Sequence, residues 1–138
     1  MRHDPKVDQL RSVPLFADAS TRDLRDLASA ADVVVLDAGR FLQRRGRHVV
    51  EAYLVLDGEV DLVADGFQLA ALGPGDLLGE LEIVDGEPAA SDAVAAGEVT
   101  ALVLTAPRLR GLVESNHAVR TAVVRQLARR ARDLAVSA

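Results

Sequence analysis

The stretch with the clearest capacity for chemistry is 72–91, LGPGDLLGELEIVDGEPAAS. It has the pattern of a turn, a short helix after Gly79, a second turn and Pro88. The first N–H groups of a helix have no partner inside it, and a helix start of this kind binds anions, phosphate above all. Backbone N–H groups after Gly79 and around Ala89 and Ala90 are therefore predicted to form an anion site.

The side chains around this stretch oppose that chemistry. Residues 76–98 contain seven acids and no lysine or arginine, so their field disfavours a phosphate. Residues 107–138 contain seven arginines and two acids. A solvated helix face is the simpler interpretation of that basic block, and a nucleic-acid contact is the alternative.

Composition limits the protein class. A chain of 138 residues with 49% hydrophobic residues predicts one folded domain with a real core. The chain has no cysteine, which excludes disulfides, thiol nucleophiles and cysteine metal sites. No apolar run reaches the roughly 18 residues of a membrane span, and the first residues lead into no signal core. We expect a soluble cytoplasmic protein.

Catalysis and metal binding have little support in the sequence. The enzyme alternative is a cupin-like metal site, which needs clustered histidines and carboxylates. The three histidines, His3, His48 and His117, are far apart and are interpreted as solvated or capping residues. Ser91 beside a proline is interpreted as a turn residue. We therefore expect no enzyme activity, no metal and no cofactor.

The elements that position the 72–91 stretch are mostly short strands. Ser20 is a suitable N-cap for an amphipathic helix over 20–31, with Leu24 and Leu27 as its docking face. β-branched and alternating runs separated by turns predict an antiparallel sandwich or barrel. The strands are expected at 33–36, 41–46, 52–56, 59–63, 67–72, 92–96 and 100–104, with a hairpin over 52–63 around Asp57-Gly58.

Two helices are predicted to follow the strands. The first begins at 105–107 and runs to about Glu114, and the second covers 117–134 after Ser115 and Asn116. The second helix has one apolar stripe, formed by Val119, Val123, Leu127, Ala131 and Leu134. This stripe either packs on its own barrel or pairs with the same helix of a second chain. The second case predicts a homodimer through helix 117–134.

The chain resembles the cyclic nucleotide-binding domains of catabolite-activator-type regulators and protein kinase A regulatory subunits. Gly79-Glu80-Leu81 matches the first half of the family's phosphate-binding cassette. Pro88-Ala89-Ala90-Ser91 matches the second half except at Ala89, where the family has an arginine that pairs with the cyclic phosphate. Further similar segments are 39–46, 52–60 and 72–76.

The resemblance implies a mainly β fold with flanking helices: an antiparallel β-roll (double-stranded β-helix or jelly roll) with an N-terminal helix and two C-terminal helices. The single domain would span 1–138, with a helical lead 1–31, a roll 32–104 containing the cassette 79–91, and helices 105–138. No helix-turn-helix is expected in this chain, so operator binding is not expected.

The resemblance also implies a ligand site. The implied ligand-binding residues are Gly79, Glu80, Leu81, Pro88, Ala89, Ala90 and Ser91, with Glu80 on the ribose 2′-hydroxyl. Because Ala89 lacks the arginine, we predict a regulatory module with weak or lost binding of cAMP or cGMP. Arg44, Arg45 or a residue of the last helix is the candidate replacement cation, and the family's base contact falls near Leu134 or Ala135. The alternatives are a sensory fragment of a Crp/Fnr-type regulator that does bind cAMP, and a homodimerising interaction module without a ligand.

Overall fold

The computed structural model describes residues 4–137. Along these residues the elements are α1 (Pro5–Arg11), a 3₁₀ turn (Pro14–Phe16), α2 (Thr21–Ala30), β1 (Asp32–Leu36), β2 (Phe41–Gln43), β3 (Glu51–Asp57), β4 (Val60–Ala64), β5 (Phe67–Leu72), β6 (Leu77–Leu78), α3 (Glu80–Asp85), β7 (Asp92–Ala95), β8 (Val99–Thr105), α4 (Ala106–Ser115) and α5 (His117–Ser137).

The strands form two four-stranded antiparallel sheets. The first has the order β1-β8-β3-β6 and the second the order β2-β7-β4-β5. Buried residues between the sheets form the interior of the roll, for example Val55, Val60 and Val99, each with no exposed surface. The predicted β-roll with N-terminal and C-terminal helices is confirmed.

The predicted hairpin over 52–63 is wrong. β3 lies in the first sheet and β4 in the second, so Asp57-Gly58 carries the chain from one sheet to the other. Gly58 has a φ of 91°, and a Cβ there would collide with the carbonyl oxygen of Glu98. The turn at Asp65-Gly66 does form a hairpin between β4 and β5, because both residues adopt positive φ, 54° and 78°.

The helices pack on the outer face of the first sheet. Ser20 caps α2 as predicted, since its Oγ accepts a hydrogen bond from the backbone N–H of Asp23 at 3.1 Å. Asn116 caps α5, with its Oδ1 accepting from the N–H of Val119 at 3.0 Å. Its Nδ2 also donates to the carbonyl oxygen of Asp23 at 2.9 Å. Asn116 thus joins α5 to α2, and its side chain is buried.

The apolar stripe of α5 has two parts. Val119 and Val123 are buried against the helical layer. Leu127 and Leu134 are 54% and 73% exposed, and Ala131 is exposed as well. The first half of the stripe therefore docks α5 on its own domain, and the second half has no cover in the single chain.

Among the helices of residues 4–137, none has both the length and the hydrophobicity needed to cross a bilayer.

Candidate functional site

The cassette begins at a glycine that no other residue can replace without strain. Gly79 has a φ of 88°, and a Cβ there would lie 2.8 Å from the carbonyl oxygen of Glu51. This close approach sets α3 directly against the start of β3. Glu80 follows Gly79 as the first residue of α3 and lies between β6 and the last helix.

The carboxylate of Glu80 is enclosed between the cassette and α5. The residue is 1% exposed, and its Oε1 lies 3.4 Å from the Nη2 of Arg130. Apart from the backbone N–H of Glu80 itself, neither carboxylate oxygen has a hydrogen-bond partner within the described part of the chain. Burial raises the pKa of Glu80, Arg130 and that backbone N–H oppose the rise, and the acids Glu82 and Asp76 add to it. The site therefore penalises negative charge.

Glu82 contributes a second carboxylate. Its Oε2 is enclosed by protein and has no hydrogen-bond partner among residues 4–137. Asp76 completes the acidic group, with its Oδ2 accepting from the N–H of Gly73 at 2.9 Å and its Oδ1 lying 3.9 Å from Arg129. A buried acceptor without a donor is unusual in a folded protein and needs an explanation.

Two polar residues of α5 hold the segment before the cassette. Gln126 Nε2 and Arg130 Nη2 each lie 3.5 Å from the carbonyl oxygen of Leu77. Gln126 is 5% exposed, and its Oε1 has no hydrogen-bond partner among the described residues. This pair is not among the site residues predicted from the sequence. The signal was present, because Ala122, Gln126 and Arg130 follow one another at four-residue intervals and so share one face of the helix.

Ala89 is held by the loop between β2 and β3. Its N–H donates to the carbonyl oxygen of Arg47 at 3.0 Å, and its carbonyl oxygen accepts from the N–H of Gly46 at 2.8 Å. Ala89 is 3% exposed. Of the predicted backbone donors, the N–H of Ala89 is therefore already engaged.

The other predicted site residues lie on both sides of Ala89. Leu81 is half-buried on α3, Pro88 and Ala90 are exposed, and Ser91 is 6% exposed. The carbonyl oxygen of Ser91 accepts from Gln43 Nε2 at 3.3 Å. The part of the cassette after residue 86 is thus tied to β2 and the loop that follows it.

Three of the cations that could replace the missing arginine have other partners. The guanidinium of Arg44 lies 3.5 Å from the centre of the Phe41 ring. Arg45 Nη1 lies 2.6 Å from Asp65 Oδ1, and the N–H of Arg45 donates to Asp92 Oδ1 at 2.8 Å. On α5, Arg130 is paired with Glu80. That one of these cations replaces the family's arginine therefore stays a prediction.

A small cavity lies between the first sheet and the helices. Its volume is about 40 Å³, enough for one or a few water molecules. The walls are almost entirely apolar, and Glu80 is the charged residue among them. Leu134 and Ala135, the positions expected near a base, are both exposed.

The histidines do not come together. His48 and His117 are exposed and lie on different elements, and His3 lies outside the described residues. No group of three histidine, cysteine or carboxylate side chains within residues 4–137 is placed to hold a metal ion.

Comparisons with known proteins agree with this geometry. The family model described as "Cyclic nucleotide-binding domain" matches residues 33–116. The N-terminal domain of a transcriptional regulator from Streptomyces coelicolor A3(2) has a TM-score of 0.70 and 32% identity, covering 94% of each chain. A curated voltage-gated delayed rectifier potassium channel from Rattus norvegicus is 37% identical over 71 residues, which is 51% of this chain and 7% of the channel. The chain thus spans a small part of that relative.

Two further structures share the fold and differ in ligand. A regulatory subunit of a cAMP-independent protein kinase A from Trypanosoma cruzi, bound to guanosine, has a TM-score of 0.76 and 22% identity over 86% of this chain and 43% of that chain. The Trypanosoma brucei counterpart was solved as a triple mutant bound to cAMP in the A site, with a TM-score of 0.75 and 22% identity over 92% of this chain and 46% of that chain. The mutant has a glutamate changed to alanine and, seven positions later, a threonine changed to arginine and the next valine to alanine.

Proposed function

The chain belongs to the cyclic nucleotide-binding domain family, and on that premise we propose that it is a non-catalytic regulatory module with weak or lost affinity for cAMP and cGMP. The observation that carries the proposal is Ala89 in a cassette whose charged side chains are all acids: Glu80, Glu82, Asp85 and Glu87. The nearest guanidinium to Glu80 is already paired with it.

The expected loss of affinity is large. A bidentate arginine on a phosphate makes two charge-assisted hydrogen bonds, each contributing about 1.5–3 kcal/mol. Loss of both weakens binding by about 10²–10⁴-fold. The enclosed carboxylates of Glu80 and Glu82 act in the same direction, because they repel the phosphate in a site of low polarity.

The Trypanosoma brucei mutant supports this interpretation. In this chain Glu82 lies seven positions before Ala89, and Ala90 follows directly. Glu82 and Ala89 therefore have the spacing of the glutamate and the threonine that were replaced in the mutant bound to cAMP. The ligands named for the two trypanosomal structures define two candidate classes for this site: a cyclic nucleotide with a phosphate, and a nucleoside without one.

The route from the site to the rest of the molecule is also part of the proposal. Arg130 contacts both Glu80 and the carbonyl oxygen of Leu77, and Gln126 contacts the same carbonyl. Movement of α3 away from α5 breaks the Glu80 contact, and movement that includes β6 also breaks the two contacts to Leu77. A ligand at the cassette would therefore act on the position of α5, which is the output of the module.

Calorimetric titration tests the proposed loss of affinity. We expect no saturable binding of cAMP or cGMP at low micromolar concentration by the natural chain. Glu82→Ala combined with Ala89→Arg restores cAMP binding by about 10²-fold or more, since it removes a carboxylate and supplies the guanidinium. The matched control is Glu87→Ala with Ala89→Arg, because Glu87 is an exposed acid of the same segment. Tight cAMP binding by the natural chain would contradict the proposal.

A second candidate function is homodimerisation through α5. Val124, Leu127 and Leu134 are 60%, 54% and 73% exposed on this helix. Pairing with the same helix of a second copy would cover these side chains. We expect Leu127→Glu to lower the mass measured by light scattering from a dimer to a monomer. Val84→Glu, at a 52% exposed position on α3, is the matched control.

A further inference from the structure

We infer that the groove between the 3₁₀ turn and α5 binds a short acidic segment of a partner protein, in which carboxylates flank an apolar side chain. The groove has a volume of about 250 Å³ and is open to solvent. Its lining, the arginine groove from here on, consists of Pro14, Leu15, Arg125, Ala128, Arg129 and Arg132. The inference goes beyond the proposed function and does not depend on whether the cassette binds a nucleotide.

The three arginines of the groove lie on one side of α5. Successive residues of a helix are rotated by about 100°, so Arg125, Arg129 and Arg132, spaced by four and then three positions, project in similar directions. Their Cα atoms span about 10 Å along the helix axis, at a rise of about 1.5 Å per residue. An extended peptide covers that distance with about three residues. The row of guanidinium groups therefore fits a peptide segment better than one small anion.

Much of the hydrogen-bonding capacity of these guanidinium groups is unused within residues 4–137. Arg125 Nη2 donates to Asp18 Oδ2 at 3.1 Å and its Nη1 to a backbone carbonyl oxygen at 3.2 Å, which leaves other N–H groups of this arginine unused. Arg129 lies 3.9 Å from Asp76, too far for a hydrogen bond. Arg132 is exposed and has no hydrogen bond or ion pair among the described residues. Arg125 is thus held in place, and Arg129 and Arg132 are free to bind a ligand.

The chemistry of the lining matches carboxylates beside an apolar side chain. A guanidinium binds a carboxylate through two parallel hydrogen bonds, which fixes its orientation as well as its position. Pro14 and Ala128 are exposed and, with Leu15, add uncharged surface to the groove. An apolar side chain of the ligand gains free energy by covering that surface and excluding water from it. The expected occupant therefore combines acidic and apolar residues.

The charge around the groove favours a short segment over a nucleic acid. The side chains of Asp18 and Asp76 pair with arginines of the groove and are 85% and 28% exposed, and the whole chain has a net charge of −5. A nucleic acid would extend its closely spaced phosphates beyond the arginines to these acids. A peptide whose carboxylates are confined to the groove avoids that repulsion. The partner is therefore expected to be a protein.

The arginine groove and the apolar stripe lie on different sides of α5. At about 100° per residue, Leu127 and Leu134 project to the side opposite Arg125 and Arg129. A partner segment in the groove and a second copy on the stripe would thus contact different faces of the helix. Because the groove is formed by α5 together with the 3₁₀ turn, its width depends on the position of α5. Binding in the groove would therefore respond to movement of this helix.

Fluorescence anisotropy of the full chain with a labelled peptide tests the inference. The probe repeats Glu-Leu-Glu over about nine residues, which covers the row of arginines, and the control peptide has glutamine in place of every glutamate. We expect the glutamate peptide to bind about tenfold or more tightly than the glutamine peptide. Raising the salt concentration lowers that affinity, because the arginines are exposed to solvent.

Two arginine variants place the binding in the groove. Arg132→Gln removes an unpaired guanidinium, so it lowers the affinity for the glutamate peptide by about fivefold or more. Arg110→Gln is the matched control, because Arg110 is an exposed arginine of α4 outside the groove, and it leaves the affinity unchanged. Both variants should unfold at the same temperature as the natural chain, since both positions are exposed.

The outcomes decide the inference without reference to the cassette. Equal affinity for the two peptides, or no saturable binding of the glutamate peptide, overturns it. A loss of affinity shared by Arg110→Gln and Arg132→Gln overturns it as well, because the attraction would then come from the charge of the whole surface. If a random DNA duplex binds at low salt, Arg132→Gln weakens that binding and the peptide does not bind, the groove is a nucleic-acid contact and the inference is wrong. None of these results changes the expected titrations with cAMP and cGMP, so the proposed function is tested separately.

Discussion

The contact between Glu80 and Arg130 allows a sharp test of how the cassette is held. Replacing Arg130 by Met keeps the length and the apolar stem of the side chain but removes the charge. The carboxylate of Glu80, 1% exposed, then lies in the core with no cation at 3.4 Å. We expect Arg130→Met to destabilise the protein strongly, because an uncompensated buried charge is left behind.

The magnitude follows from the burial of the two partners. Removing one member of a fully buried ion pair costs about 3–5 kcal/mol. Arg130 itself is 31% exposed, so solvent already screens part of its attraction for Glu80. Protonation of Glu80, whose pKa burial already raises, also limits the cost. We therefore expect a loss of about 2–3 kcal/mol at neutral pH, which becomes smaller as the pH falls and Glu80 takes up its proton.

Urea unfolding followed by far-UV circular dichroism measures this loss. Arg132→Met is the control, since Arg132 lies two positions further along α5 and is exposed; it should change the free energy of unfolding by no more than about 0.5 kcal/mol. In a Glu80→Gln background, Arg130→Met should cost less than about 1 kcal/mol, because no buried charge remains. Equal costs in the two backgrounds, or a cost no greater than that of Arg132→Met, would refute the reasoning.

Three further predictions concern the same framework. First, burial raises the pKa of Glu80 above its ordinary value of 4.5. The contribution of Glu80 to the free energy of unfolding is therefore fully present below pH 4.5 and is lost as the pH rises through the folded-state pKa. The stability of Glu80→Gln relative to the natural chain should therefore increase from acid to neutral pH. Thermal melts of both proteins at several pH values measure this, and a difference in Tm that stays constant with pH would contradict it. Second, Gly79→Ala should cost about 2–4 kcal/mol in urea unfolding, because the new Cβ meets the Glu51 carbonyl oxygen at positive φ. Gly86→Ala, at positive φ but with no atom within 4 Å, should cost about 1–2 kcal/mol, and equal costs would remove the steric explanation. Third, Asn116→Ala should cost about 2–3 kcal/mol, since it removes the cap of α5 and leaves buried backbone groups unpaired; a change below about 0.5 kcal/mol would show that the cap is dispensable.

Features that depend on near neighbours along the chain could be predicted from the sequence. Ser20 caps α2 through a residue three positions away, and Asn116 caps α5 in the same way. The Asp65-Gly66 turn adopts the positive φ angles that its residue types favour. The order of the motifs around the cassette identified the family and hence the fold. This was possible because the spacing of glycines, acids and apolar residues depends on the local conformation of the chain.

Features that depend on residues far apart in the chain were decided by the tertiary structure. β3 pairs with β8, with Val55 opposite Ala101, and not with β4 across the Asp57-Gly58 turn. The N–H of Ala89 donates to the carbonyl oxygen of Arg47, and the carboxylate of Glu80 pairs with the guanidinium of Arg130. Local spacing determines which segments are strands and helices, but the partner of a strand edge, an N–H group or a buried charge is whichever group the packing of the whole chain brings beside it.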